Sequence, residues 1–92
     1  MLDLRSIINL TGNRNTYIAA REKLAANTLK NMRGRLFFYN IPELCDNNGF
    51  CTIDCITYDR QFDAFIYVIK DRDTNHTFVV DRCNLCLIEV SC

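Results

Sequence analysis

The chain contains six cysteines, and all of them lie in its second half. They form two clusters: Cys45, Cys51 and Cys55, then Cys83, Cys86 and Cys92. Two short-spaced thiol pairs separated by about one β-hairpin match the ligand pattern of a structural zinc ion, which takes four thiolates at tetrahedral angles about 2.3 Å from the metal. The sequence therefore predicts a structural zinc site.

The spacing favours Cys51, Cys55, Cys83 and Cys86 as the four ligands. Cys83-Asn84-Leu85-Cys86 has the C-x2-C spacing of a zinc knuckle, and the other pair has three intervening residues, which zinc sites also tolerate. A hairpin between the two pairs would bring both to one end of a sheet. The site resembles a zinc ribbon in its spacing alone.

A strand running from Thr52 onward would change this ligand set. Cys51 and Cys55 would then lie on one face of the strand with about 13 Å between their α-carbons, at ~3.3 Å per residue. That separation is too long for two ligands of one ion. In that case Cys45 replaces one of them, giving Cys45 and Cys51 with Cys83 and Cys86 as the four ligands.

Two other states of the cysteines stay open. Free cysteines are often small buried hydrophobic residues, whereas an even number in a short chain also suits disulfides. A dithiol redox motif at Cys83 and Cys86 would need a helix N-terminus, but the residues after Cys86 have the pattern of a strand. Cys92 is the cysteine least expected to take part.

The N-terminal sequence favours a reducing compartment. MLDLRSIINLTG has an acid at Asp3 and a short apolar run, so it lacks the basic and apolar regions of a secretory signal. No window approaches the ~18 apolar residues of a membrane-spanning helix. We therefore expect an intracellular protein, cytoplasmic or nuclear, in which clustered cysteines favour metal over disulfides.

Catalytic motifs are missing from the sequence. His76 is the single histidine and stands at the start of an apparent strand, where an exposed imidazole is the simplest interpretation. Asp71, Asp73 and Asp81 lack the ordered loop and closing glutamate of a calcium site. The chain has no glycine-rich phosphate loop. We therefore predict a protein that is not an enzyme.

Charge is distributed unevenly although the net charge is zero. Residues 1–35 carry seven Lys or Arg and two Asp or Glu, whereas residues 36–92 carry four Lys or Arg and nine Asp or Glu. Cations on or beside the predicted helix form a candidate nucleic-acid-binding set: Arg14, Lys23, Lys30, Arg33 and Arg35. Such cations hold phosphates, and aromatic rings on the next strand could stack bases. Against this, the sequence pI of about 6.5 is below that of dedicated binders.

The clearest predicted element is a helix from Asn15 to Met32. This segment is rich in helix-forming residues, and Gly34 follows its end. A helical wheel predicts one apolar side: Tyr17, Ile18, Leu24, Ala25, Leu29 and Met32. Arg21 falls near the middle of that side, so we expect it to extend past the core or to pair with an acid.

After Gly34 the pattern changes to short strands of β-branched and aromatic residues. The predicted strands are Arg35–Ile41, Thr52–Tyr58, Ala64–Lys70, His76–Val80 and Leu87–Val90. Leu4–Leu10 is an additional short apolar segment, either a strand or a helical turn. Asp46 to Gly49 has the composition of a polar turn.

Together these patterns predict an α+β fold in a single domain. One amphipathic helix would cover a face of a four- to five-stranded, mostly antiparallel meander sheet, stapled by zinc. We expect a non-enzymatic module that binds a protein partner or forms a homo-oligomer through its sheet edges. Nucleic-acid binding is the alternative function. The frequency of Asn and Ile suits an AT-rich genome such as many viruses carry.

Overall fold

The computed structural model describes residues 14–44 and 47–90, and it shows one helix packed on one antiparallel sheet. The elements are α1 (Arg14–Met32), β1 (Phe37–Ile41), β2 (Asn47–Asp59), β3 (Ala64–Asp71), β4 (Thr77–Asp81) and β5 (Cys86–Glu89). Two 3₁₀ turns, Pro42–Leu44 and Arg82–Asn84, precede β2 and β5. The predicted α+β fold is confirmed. The segment Leu4–Leu10 lies outside the described residues.

The predicted polar turn before Cys51 is largely strand. Asn47, Asn48 and Gly49 belong to β2 and pair with Ile41, Asn40 and Tyr39 of β1. Backbone pairing with an adjacent strand outweighs the turn preference of these residues, because strand propensity depends strongly on context. Asp46 lies outside the described residues.

Strand β2 is long and pairs with a different strand along each part of its length. Its first part, up to Cys51, pairs with β1, and the part from Cys51 to Asp59 pairs with β3. A register shift between Ile53 and Cys55 marks a β-bulge, which bends a strand and increases its twist. The sheet order is β4-β3-β2-β1-β5, so β1 to β4 form a meander and β5 returns to pair with β1.

The short connection between β4 and β5 requires this sheet to curl. In a flat sheet the two edge strands would be four spacings of ~4.8 Å apart, or about 19 Å. The chain from Asp81 to Cys86 reaches at most about 18 Å when fully extended. Since part of it is coiled into the 3₁₀ turn Arg82–Asn84, the edges must approach each other.

The concave face of the curled sheet holds the hydrophobic core. Alternate residues of the strands point into it, as expected for a period of two. The buried cluster consists of Ala25, Phe37, Tyr39, Ile41, Cys51, Ile53, Ile56, Tyr67, Ile69, Val80 and Leu85. All but Ala25 and Leu85 come from β1 to β4, so the helix contributes little to the most buried part.

Helix α1 packs mainly against β2 and is attached at its N-terminal end by polar contacts. Tyr17 and Ala25 are buried, but Leu24 is 49% exposed, so its predicted place on the buried side is wrong. The helix contacts the sheet along a narrower stripe than the wheel suggested. Arg21 donates a 3.1 Å hydrogen bond from Nε to the Tyr17 hydroxyl and lies over the rings of Tyr17 and Phe65.

Candidate functional site

The predicted zinc ligands of β2 lie on opposite faces of the sheet. Cys51 is fully buried in the core, and burial together with the nearby Asp71 carboxylate raises the pKa of its thiol to about 11. Cys55 follows the bulge and pairs with Val68 on the convex face, where it is partly exposed. The bulge therefore changes the face on which the second thiol lies.

The other predicted zinc ligands lie at the connection into β5. Cys83 belongs to the 3₁₀ turn and Cys86 begins β5, and both side chains are exposed. Within residues 14–44 and 47–90, no three His, Cys, Asp or Glu side chains are close enough together to hold one metal ion. Cys45 and Cys92 lie outside the described residues. Zinc binding by Cys51, Cys55, Cys83 and Cys86 stays a prediction.

The predicted nucleic-acid-binding cations are spread over the surface. Lys23 and Lys30 are exposed on α1 and Arg33 is exposed in the turn after it, whereas Arg35 forms an exposed ion pair with Glu89 of β5 at 3.2 Å. The side chain of Arg14 is not described. Of the aromatic residues that follow, Phe37 and Tyr39 are buried, and Phe38 is on the convex face. Nucleic-acid binding stays a prediction, with Lys23 and Lys30 on one helix face.

A buried carboxylate that the sequence did not single out lies under the β3–β4 turn. Asp71 Oδ2 accepts a 2.6 Å hydrogen bond from the Tyr39 hydroxyl. Its Oδ1 accepts backbone N–H groups of Asp73 and Thr74 at 2.8 and 2.9 Å. These bonds hold the pKa of Asp71 at about 2, although burial opposes the shift. The sequence signal for this turn is an Asp followed within three residues by Asp and Thr, a composition typical of turns in which the first Asp accepts backbone N–H groups.

An open cleft of about 400 Å³ lies above this pair. Tyr39, Asp71, His76 and Phe78 are among the residues that line it. The rings of His76 and Phe78 meet edge-on with 4.5 Å between their centroids. The carboxylate oxygens of Asp71 are committed to bonds within the chain. The pair therefore serves to join the turn to the core.

The outer edge of β4 presents unpaired backbone groups. The N–H of Asp71 donates to the carbonyl of His76 at 2.8 Å, and the next pair along the two strands is Lys70 with Thr77. Because hydrogen-bonded pairs alternate in antiparallel strands, Phe78 and Val80 bond to β3. Thr77, Val79 and Asp81 consequently direct their N–H and C=O groups away from β3. Among the described strands, β4 pairs with β3 alone.

Apolar side chains accompany this edge on the convex face of the sheet. Val79 is 69% exposed and is paired with Val68 of β3, which is only partly buried. Exposed apolar groups beside unpaired backbone are typical of a surface that another strand covers. Edge β4 is therefore the candidate interaction site of the described chain.

Neither protein-family models, nor curated proteins, nor solved structures gave a match to this chain.

Proposed function

We propose that this chain is a small, non-enzymatic intracellular module that binds a protein partner by accepting one of its strands at the edge of β4. The observation that carries the proposal is the row of outward-facing backbone groups at Thr77, Val79 and Asp81. An added strand gains main-chain hydrogen bonds there, and alternate side-chain contacts give it specificity.

The composition of β4 favours pairing of its free edge with a strand of another chain. Natural edge strands are commonly protected by proline or lysine, which discourage pairing with other chains. The strand sequence TFVVD contains neither, and its single charge, Asp81, stands at the end. Val79 lies at the centre and offers an incoming strand an apolar contact.

The opposite edge is less suited to strand addition. The N–H of Val90 donates to the carbonyl of Leu36 at 3.0 Å. Because hydrogen-bonded pairs alternate along antiparallel strands, Ile88 also bonds to β1. The backbone N–H and C=O groups of Leu87 and Glu89 therefore face away from β1. Glu89 carries a charge and pairs with Arg35. Strand β5 has only four residues and presents two of them outward, so it offers an added strand fewer main-chain hydrogen bonds than β4 does.

The free thiols support the intracellular setting of this proposal. Cys51, Cys55, Cys83 and Cys86 are free cysteines, as expected in a reducing compartment. Helix α1, within the described part of the chain, lacks the apolar length that a bilayer crossing requires.

Replacement of Val79 by proline tests the proposal. The N–H of Val79 faces outward, so Val79→Pro removes a donor from the edge while leaving the bonds between β3 and β4 intact. Tagged wild-type and variant chains are used to isolate bound proteins from the source cells, and self-association is measured by sedimentation. We expect the specific partner, or the self-associated species, to be lost in Val79→Pro.

Val79→Thr is the matched control, because threonine keeps the N–H and the β-branched shape. It should retain the partner, and in the complex the amides of Val79 and Asp81 should become protected from hydrogen exchange. Circular dichroism and thermal unfolding verify that both variants fold. A partner that binds Val79→Pro as well as wild type, with no added protection at Val79, would refute strand addition at this edge.

A further inference from the structure

We propose that Cys83 and Cys86 form one half of a tetrahedral zinc site that a second copy of this chain completes. The inference goes beyond strand addition, because it concerns the connection between β4 and β5 and not the β4 edge. Its ligands are two exposed thiols in the C-x2-C spacing that zinc knuckles use.

The backbone between these two cysteines is anchored. Leu85 lies between them with 3% exposure and is part of the core cluster. Its N–H closes the 3₁₀ turn by donating to the carbonyl of Arg82 at 3.3 Å. The turn thus fixes the chain on both sides of Asn84 while leaving the thiols of Cys83 and Cys86 outside. A fixed backbone reduces the entropy lost when both thiols bind one ion.

The described part of one chain does not supply the remaining ligands. Structural zinc takes four protein ligands, yet no third His, Cys, Asp or Glu among the described residues lies close enough to complete a site. Cys51 is enclosed in the core. Two copies related by a two-fold axis would bring two knuckles together and provide four thiolates, and two-fold pairing is the commonest symmetry of protein dimers.

Arg82 suits the charge of such a site. Binding converts four thiols to thiolates with release of four protons, so the zinc centre carries two negative charges in total. The guanidinium of Arg82 donates from Nη1 to the carbonyl of Leu85 at 2.6 Å and lies 5.6 Å from the centroid of the Tyr67 ring. These contacts fix a cation in the same 3₁₀ turn as Cys83 in each copy, and its positive charge partly offsets that of the thiolates.

The proposal is tested by adding zinc to the full, reduced chain and measuring metal content and mass. We expect one zinc ion for every two chains, a monomer-to-dimer shift in sedimentation, and reversal by a chelator. Cobalt in place of zinc should give the thiolate charge-transfer and d–d absorption of a tetrahedral four-sulfur site. Both signals should disappear in Cys83→Ser and in Cys86→Ser.

Cys55→Ser is the matched control, since Cys55 is a partly exposed thiol on another part of the sheet, and it should bind and dimerise as wild type does. Val79→Pro should also keep the zinc-dependent dimer, which separates this inference from strand addition. One zinc per monomer, loss of zinc in Cys45→Ser or Cys92→Ser, retention of zinc in Cys83→Ser, or no zinc binding by the folded reduced chain would each overturn it.

Discussion

The hydroxyl of Tyr39 donates a 2.6 Å hydrogen bond to Oδ2 of Asp71 and so joins β1 to the end of β3 across the intervening strand β2. Gly49 of β2 pairs with Tyr39, and Cys51, two residues on, pairs with Asp71. The missing side chain of Gly49 leaves the space through which the bond passes. The same carboxylate caps the β3–β4 turn, so one buried group connects β1, β3 and that turn.

Tyr39→Phe should destabilise the protein by about 1–3 kcal/mol, because the buried carboxylate loses a hydrogen bond that water replaces poorly. Tyr67→Phe is the control, since the Tyr67 ring is also buried but its hydroxyl has no hydrogen-bond partner among the described residues. Its effect should stay within about 0.5 kcal/mol. Urea unfolding measures both, and equal effects would contradict the role given to the Tyr39–Asp71 bond.

Gly49→Ala should be more damaging than Gly34→Ala. A β-carbon at Gly49 would lie 2.8 Å from Asp71 Oδ2 and 3.4 Å from the Tyr39 ring, whereas one at Gly34 meets nothing within 4 Å. Gly34 has φ +81°, so alanine there costs about 1–2 kcal/mol of backbone strain alone. We expect Gly49→Ala to exceed that value in urea unfolding. A smaller loss than at Gly34 would show that the strands adjust freely.

Stability should fall in acid between about pH 4 and pH 2 through Asp71. Its pKa lies at about 2 in the folded chain, chiefly because Tyr39 donates to it, against an ordinary value of 3.8. A lowered folded pKa contributes stability above the unfolded value, and this is lost as the pH falls through the folded value. The free energy of unfolding of Asp71→Asn should depend less on pH in this range than that of wild type. The same pH dependence of the unfolding free energy in Asp71→Asn and wild type would contradict the role given to Asp71.

Stability should also fall in alkali between about pH 9 and pH 12. Burial raises the pKa of Cys51 from 9.0 to about 11, and burial with the hydrogen bond to Asp63 raises that of Tyr58 from 10.0 to about 12. A raised folded pKa stabilises the protein fully below the unfolded value, and that contribution disappears as the pH rises through the folded one. In Tyr58→Phe the loss above pH 10 should be smaller. Unfolding free energies that stay constant to pH 12 would refute this.

The attachment of α1 should depend on Asp63. Its Oδ1 accepts hydrogen bonds from the hydroxyls of Tyr17 at 2.9 Å and Tyr58 at 2.5 Å. We expect Tyr17→Phe to cost about 1 kcal/mol and to speed amide exchange in the first turns of the helix, with little change in β3. Because both hydroxyls share one acceptor, Tyr17→Phe and Tyr58→Phe should be non-additive in a double-mutant cycle. Strict additivity would show that the two bonds are independent.

Local patterns were enough to find the helix and all five described strands. The helix begins one residue before the predicted Asn15, and the strand predicted at Ala64–Lys70 extends by one residue to Asp71. These elements follow from residue type and period, which act over a few neighbouring positions. The exposure of Leu24 was not predictable in this way, because it depends on how narrow the helix contact with β2 is.

The arrangement of the cysteines and of Asp71 depended on longer-range structure. The bulge after Ile53 moves Cys55 to the convex face, and a single extra residue in a strand leaves no clear mark on the sequence. Asp71 is the last residue of β3, and its hydrogen bond to Tyr39 comes from a strand that is not adjacent to β3. Cys83 and Cys86 remain the pair with the most regular spacing.

The return of β5 to β1 also has a consequence during synthesis. The strands of the β1–β4 meander each pair with a neighbour in the chain. Strand β1, however, has an uncovered edge until β5 emerges and pairs with it. Non-local pairings of this kind form slowly, and an open strand edge is prone to wrong pairing. The folding chain is therefore exposed to wrong pairing at β1 until β5 has paired with it.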